Sequence, residues 1–481
     1  MLIGTGRPTP TSVRLADDWH APVGGLLLLL CGVFALAGFP LDDVWHRLFG
    51  QDVTLWGPTH IQMVGGASLA TLAIWALSRE AMVDRPQSRE AAQSLLVRGM
   101  QVALGGAFLI GLSTLQGEFD FGVPQFSLLY HPVLLMLAAG IGLVAARIRL
   151  GRGGALACVA FFLLVRGELA LLVGPVLDRS LLHFPLYLVE ALLVEGAALV
   201  IRRDRQVTFG AVAGALIGTV GLAAEWGWSH LWMPLLWPAA LWPEGALLGL
   251  AAAVSGGVLG GLVGRVLAPA EVGRQPVRWP VGAGAVVVAV ACLTYPSIDT
   301  DGPDIRAEVV LEDVGAEAGR TVHATVALDP PEAAEDASWF EVLAWQGREW
   351  SEGGLIRTGL EHDGGGVYRT VEPVPVHGEW KTVLRLHRDR SLQAMPIYLP
   401  EDPGIPAAEV PADRSFTRPF QADKSLLQRE AVGGTPTLQA FGYLVLLLIT
   451  ATWLAAMSWG LHRINRAITS EATPVRDHVV T

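Results

Sequence analysis

The sequence predicts an all-α polytopic membrane protein, with about ten transmembrane helices and one extracytoplasmic, immunoglobulin-like β-sandwich domain. Three observations predict it. The 481 residues are 52% hydrophobic and only 16% charged, more apolar than a soluble domain. Arginines gather on alternate connections between long apolar runs. Between the last two of those runs the chain turns polar, and its apolar residues alternate with polar ones.

In chain order, residues 1–20 form a polar N-terminal tail. The run from Ala21 is followed by Pro40-Leu41-Asp42 rather than a small-residue cleavage site, so it reads as a retained helix. Spans of roughly 17–25 residues fall at 21–40, 59–78, 95–115, 128–146, 154–174, 185–201, 209–224, 244–268, 280–296 and 437–461. The first nine make a helical domain, 21–296; a tail, 462–481, follows the last.

One set of connections carries Arg79, Arg85 and Arg89; Arg147, Arg149 and Arg152; Arg202, Arg203 and Arg205; Arg274 and Arg278. The tails share this sign through Arg7, Arg14, Arg463 and Arg466, whereas the opposite short loops hold only Arg47 and Arg179. The positive-inside rule therefore makes both tails cytoplasmic. It places 42–60, 116–127, 175–184, 225–243 and the β domain outside a bacterial cell membrane.

The β domain, 297–400, shows strand-like alternation at 305–311, 321–328 and 381–387, with two more strands around Pro373 and Pro375. Residues 401–436 read as a Pro-rich linker. Cys31, Cys158 and Cys292 all lie in apolar runs, which excludes a disulfide framework and a cysteine zinc site. No phosphate-cradling glycine loop, Ser/His/Asp arrangement or nucleic-acid patch is present, so no nucleic-acid partner is expected.

Ionisable groups at a membrane are costly and are functional candidates by default. Asp42, Asp43, His46, Asp52 and His60 form the first cluster. On a helix Asp42 and His46 share a face, and Pro58 lets the chain break so that His60 opens the next span. A carboxylate and two imidazoles there suit a divalent metal or copper; the alternative is a solvated loop anchored by Trp45 and Trp56. Asp42 and Asp43 face about 100° apart, so only one shares a face with His46.

A second cluster, Gln116, Glu118, Asp120 and His131, repeats the order of acids, aromatics, a proline and a helix-opening histidine. It reads either as a second site or as a polar loop whose acids cap helices. A third set, Arg166, Glu168, His183, Glu190 and Glu195, surrounds spans five and six, where structural pairing is favoured over a proton relay. His183 and Glu190 share a face if their helix starts early enough. Glu225 through the tryptophans to Glu244 suits an interfacial segment. In the β domain His323, His362, His377 and His387 are scattered; no cysteine joins them, so no blue-copper site is expected.

The first cluster resembles the copper-ligand segment of the C subunit of particulate methane and ammonia monooxygenases. That segment runs Asp-x-x-x-His, then Asp-Thr, then Pro-x-His opening a helix. Asp42, Trp45, His46, Asp52, Thr54, Pro58 and His60 match in order, with one extra residue between Asp52 and His60. The resemblance implies copper, with Asp42, His46 and His60 as its ligands. It also implies a second site, where Gln116 stands for an Asn, Asp120 for a first His and His131 for a second. Only His131 matches there in type. The likeness is specific over about 20 residues, and spans five to ten fall outside it.

The expectation is thus a lipid-embedded copper protein resembling a subunit of a copper-dependent membrane monooxygenase. It would work with partner membrane subunits or as a homo-oligomer. The alternatives are a non-catalytic copper-handling or assembly protein, a transporter using Arg166, Glu168, Glu190 and Glu195, and a purely structural membrane subunit.

Overall fold

A computed structural model describes residues 9–49, 54–84, 95–202, 204–268, 272–273, 277–298, 300, 302–314, 319–346, 354–403, 407–427 and 435–471. Asp52, Arg7, Arg85, Arg89, Arg203, Arg274 and residues 472–481 of the C-terminal tail lie outside the described residues. Among the described residues, eight helices are long and apolar enough to cross a membrane: α1 (Val23–Phe49), α2 (Pro58–Ala81), α3 (Leu95–Asp120), α4 (Tyr130–Leu150), α5 (Gly154–Val176), α7 (Gln206–Leu231), α8 (Ala239–Leu267) and α10 (Pro436–Ala467). Two shorter helices also belong to the helical region, α6 (Leu188–Val200) and α9 (Trp279–Thr294). Each apolar run read from the sequence is therefore helical, but α6 and α9 fall short of the length of a full span. Before α6 the chain through Pro185 has no regular secondary structure, and Tyr187 takes a left-handed φ of 52°. His183 lies in that non-helical stretch, so it does not share a helical face with Glu190.

Helix α4 is the centre, with 83% of its apolar window buried. It packs on α8 through glycines that bring backbones together: a Cβ added at Gly140 would stand 2.8 Å from the Ala253 carbonyl. A second core joins α1 and α2 to α10, where Phe34 stacks on Trp453 with centroids 4.0 Å apart. Within the N-terminal tail, β1 (Ser12–Ala16) and β2 (Trp19–Pro22) form a hairpin that runs into α1. Arg463 near the end of α10 donates to the Ser12 carbonyl at 2.9 Å, so the hairpin and the end of α10 lie together.

The β domain comprises β3 (Arg306–Asp313), β4 (Thr321–Asp329), β5 (Trp339–Trp345), β6 (Leu355–Gly364), β7 (Val367–Thr370), β8 (Val374–Pro375), β9 (Lys381–Arg388), β10 (Ser391–Tyr398), β11 (Ser415–Pro419) and β12 (Gln421–Ala422). Its strands follow one hydrogen-bonded path, β11-β3-β4-β7-β6-β5-β9-β10-β12, with β8 attached to β4. The result is a nearly closed antiparallel barrel rather than two separate sheets. Arg418 on β11 bridges the remaining gap by donating to the Pro396 and Ile397 carbonyls of β10 at 2.8 and 3.0 Å. The segment read as a linker contributes β11 and β12, so the domain extends past residue 400.

Strand β4 alternates as expected, with Val322, Ala324, Val326 and Leu328 inside. Strand β9 is buried on both faces, because Arg385 and His387 point away from the barrel core and meet the loop between α3 and α4. Arg385 donates to the Pro124 carbonyl at 2.6 Å and pairs with Asp423 at 2.7 Å. His387 accepts from the Leu128 amide at 3.2 Å and stacks on Trp339. The β domain thereby docks on the connection between α3 and α4, at Pro124 and Leu128.

Candidate metal centre

The last two turns of α1 carry Asp42 and His46, and α2 begins at Pro58, whose missing amide suits a helix start. The turn at 54–57 folds α2 back against α1 and places His60 opposite that face. The His60 Nε2 lies 3.3 Å from Asp42 Oδ1, and the His46 Nε2 lies 3.6 Å from the same oxygen. The three ligand atoms all lie within 4.8 Å of one another, the one such group among the described residues. Two ligands at tetrahedral angles around a common ion about 2.0–2.1 Å away would stand about 3.3 Å apart. All three side chains are half-buried.

Hydrogen bonding fixes the tautomer of His60. Its Nδ1 lies 2.7 Å from the Thr54 carbonyl, which can only accept, so Nδ1 carries the hydrogen. Nε2 then presents a lone pair toward the Asp42 carboxylate, and two acceptors face each other. Only a cation between them, a proton or a metal, makes that contact favourable. The buried His46 Nε2 has no hydrogen-bond partner among the described residues. Thr59 Oγ1 donates to Asp42 Oδ1 at 2.5 Å and holds the carboxylate in place. This backbone-oriented imidazole beside a hydrogen-bonded carboxylate is the outer-shell arrangement that metal-ligating histidines use. Asp43 instead pairs with Arg47 at 3.0 Å on the surface, so Asp42 is the acid of the cluster.

The second group serves as a brace. Glu118 is buried and accepts from Thr54 Oγ1 at 2.5 Å, the Leu55 amide at 2.7 Å and the Gln125 amide at 2.9 Å. It thus grips the same turn whose carbonyl orients His60. Asp120 forms a buried ion pair with Arg166. His131 Nδ1 accepts from Trp237 Nε1 at 3.1 Å, and its ring stacks on Phe119. Gln116 is fully buried, and its amide atoms make no hydrogen bond among the described residues. Gln116, Glu118, Asp120 and His131 do not converge as the first three residues do.

The third set is likewise dispersed. Arg166 takes Asp120 rather than a glutamate of its own set, Glu195 pairs with Arg147 at 2.7 Å, and Glu168 is exposed on α5. His183 meets the Asp120 carbonyl through its Nδ1 and its amide, both at 3.2 Å. Glu190 is buried, and its carboxylate accepts no hydrogen bond from another residue among the described residues.

Sequence reasoning missed Thr59 and the Glu118 brace. A Thr directly before the helix-opening His was the one available signal. Glu118 reaches Thr54 across 64 positions, and no local pattern records that. A search against protein-family models, curated proteins and solved structures finds no match in any of the three.

Proposed function

We propose that this multi-pass membrane protein binds copper at Asp42, His46 and His60, close to the outer membrane face. The supporting observation is the convergence of His46 Nε2, which has no hydrogen bond among the described residues, and the oriented His60 Nε2 on one carboxylate oxygen. The donor set of two imidazoles and a carboxylate alone suits zinc, copper, iron or nickel. The resemblance to the C subunit of the copper membrane monooxygenases selects copper among them. Topology supports the same reading. The Arg-poor connections gather at the end where the β domain docks, and the positive-inside rule puts that end outside.

As in the enzymes it resembles, copper here would supply redox chemistry toward oxygen and an apolar substrate arriving from lipid. This chain's residues would hold the ion: Asp42 as the anionic ligand, His46 and His60 as imidazole donors, and Thr54 and Thr59 as their orienting partners. Electrons would have to come from partner subunits or a quinol. The alternative, copper handling without turnover, is favoured by the separate partners of Asp120 and His131, which leave the family's second ligand set without a counterpart.

The test is metal content by mass spectrometry of the protein in lipid nanodiscs, beside a His46→Ala/His60→Ala variant of verified fold. Copper retained by the wild type and lost by the variant supports the site. Oxygen-dependent turnover of an apolar substrate by the loaded wild type would then separate oxygenase from copper carrier. Equal, negligible copper in both after loading overturns the proposal; zinc or iron in place of copper overturns the choice of metal.

A further inference from the structure

Away from the metal triad, one buried glutamate is set apart from the others. Glu190, in the first turn of α6, is fully buried, and neither carboxylate oxygen is paired with a counterion or accepts a hydrogen bond from another residue among the described residues. Its side chain lies on the bare backbone of Gly221 in α7. A Cβ added there would stand 2.9 Å from Glu190 Cγ and 3.0 Å from Oε1. Gly221 closes a π-turn, Ile217–Gly221, a feature that concentrates at functional sites. One turn further along α7 lies Glu225, also buried, whose carboxylate accepts from the Tyr187 amide at 2.6 Å and the Leu186 amide at 3.3 Å.

The charged groups around Glu190 do not balance. Glu225 faces it from α7 and Tyr187 from the stretch before α6; Tyr187 is also within electrostatic range of Asp120. The guanidinium of the cluster, Arg166 from α5, is taken by Asp120. From α4, Arg147 is held by Glu195 farther along α6. Two ionised carboxylates facing each other without a counterion inside a membrane protein are strongly disfavoured. The pair is also asymmetric. Glu225 has two backbone donors from other residues that favour its charged form, whereas Glu190 has only its own amide.

We propose that Glu190 and Glu225 form an intramembrane proton-binding site, in which Glu190 carries the proton and Glu225 the charge at neutral pH. This site is independent of copper and needs no second ligand.

Infrared difference spectroscopy of the protein in lipid nanodiscs tests it, at about pH 7 and in water against heavy water. The expected result is a carboxylic C=O band that shifts on deuteration, falls to background in Glu190→Gln and persists in Glu225→Gln. Glutamine mimics the neutral acid in shape and charge, so Glu190→Gln should fold as the wild type does. If it does not fold, the wild-type pH titration still tests the site. A band present at neutral pH and bleached only in alkali supports it. No band at neutral pH, or a band unmoved by Glu190→Gln, overturns it. Loss of the band when sodium replaces potassium at fixed pH also overturns it, since a sodium ion would then be the occupant.

Discussion

Two polar clusters of similar composition lie close together in the helical region and differ in what their atoms are bonded to. At Asp42, His46 and His60, side chains from two helices point at one another, half-buried, and the His46 Nε2 has no hydrogen bond among the described residues. At Glu118, Asp120 and His131, each side chain is buried deeper and is taken by a separate partner: a turn, an arginine and a tryptophan. Residue type is nearly the same in the two. What separates a candidate site from a structural joint is whether ligand atoms share a focus or are each satisfied elsewhere.

The sharpest break of that comparison targets the joint. Asp120→Leu alone leaves Arg166 buried without its partner and should cost about 3–5 kcal/mol. Adding Arg166→Leu should recover much of that loss. Thermal unfolding in nanodiscs measures both, and a single variant as stable as wild type would mean that Asp120 is no structural pair.

The metal triad should answer in the opposite way. His46→Ala should leave the melting temperature nearly unchanged. It should weaken copper binding by more than the about 10–100-fold typical of an outer-shell change. A chelator competition titration reads this directly. Smaller still, Glu118→Gln should weaken copper by about 10–100-fold without removing a ligand, because it loosens the turn that orients His60. Unaltered affinity would detach the brace from the site.

The β domain's grip on the joint should depend on pH. Burial, with the Arg385 charge beside it, pulls His387 down from 6.5 to about 3. The unfolded or undocked state then binds a proton that the docked state does not. Docking stability is full above about pH 6.5 and declines as pH falls toward about 3. The loss should be about 1 kcal/mol at about pH 6, and His387→Phe should remove the dependence. Proteolysis of the domain boundary across that range would register it, and a pH-independent rate would contradict it.

How far the sequence reaches follows the same division. The apolar runs are local, so all ten appear as helices; the alternation of β3, β4 and β9 is local too. Asp42 and His46 are four apart, and Pro58 marks the turn that returns His60, so the triad could be read directly. Contacts between distant segments could not. Arg166 finds Asp120 across 46 positions, and Arg385 finds the Pro124 carbonyl across 261. The extension of the β domain into 401–436 was hidden for a different reason. Its short strands β11 and β12 pair with β3 and β10 and carry little apolar alternation of their own. The proximity of Glu190 and Glu225 was hidden because they belong to different helices, brought together by tertiary packing that includes Glu190 on Gly221.

The most direct measurement is electron paramagnetic resonance of the copper(II)-loaded protein in nanodiscs. The account predicts one bound copper with coupling to two imidazole nitrogens, reduced to one in His46→Ala or His60→Ala and unchanged in Asp120→Asn. A spectrum matching copper free in lipid, or nitrogen couplings identical in wild type and both histidine variants, would contradict it.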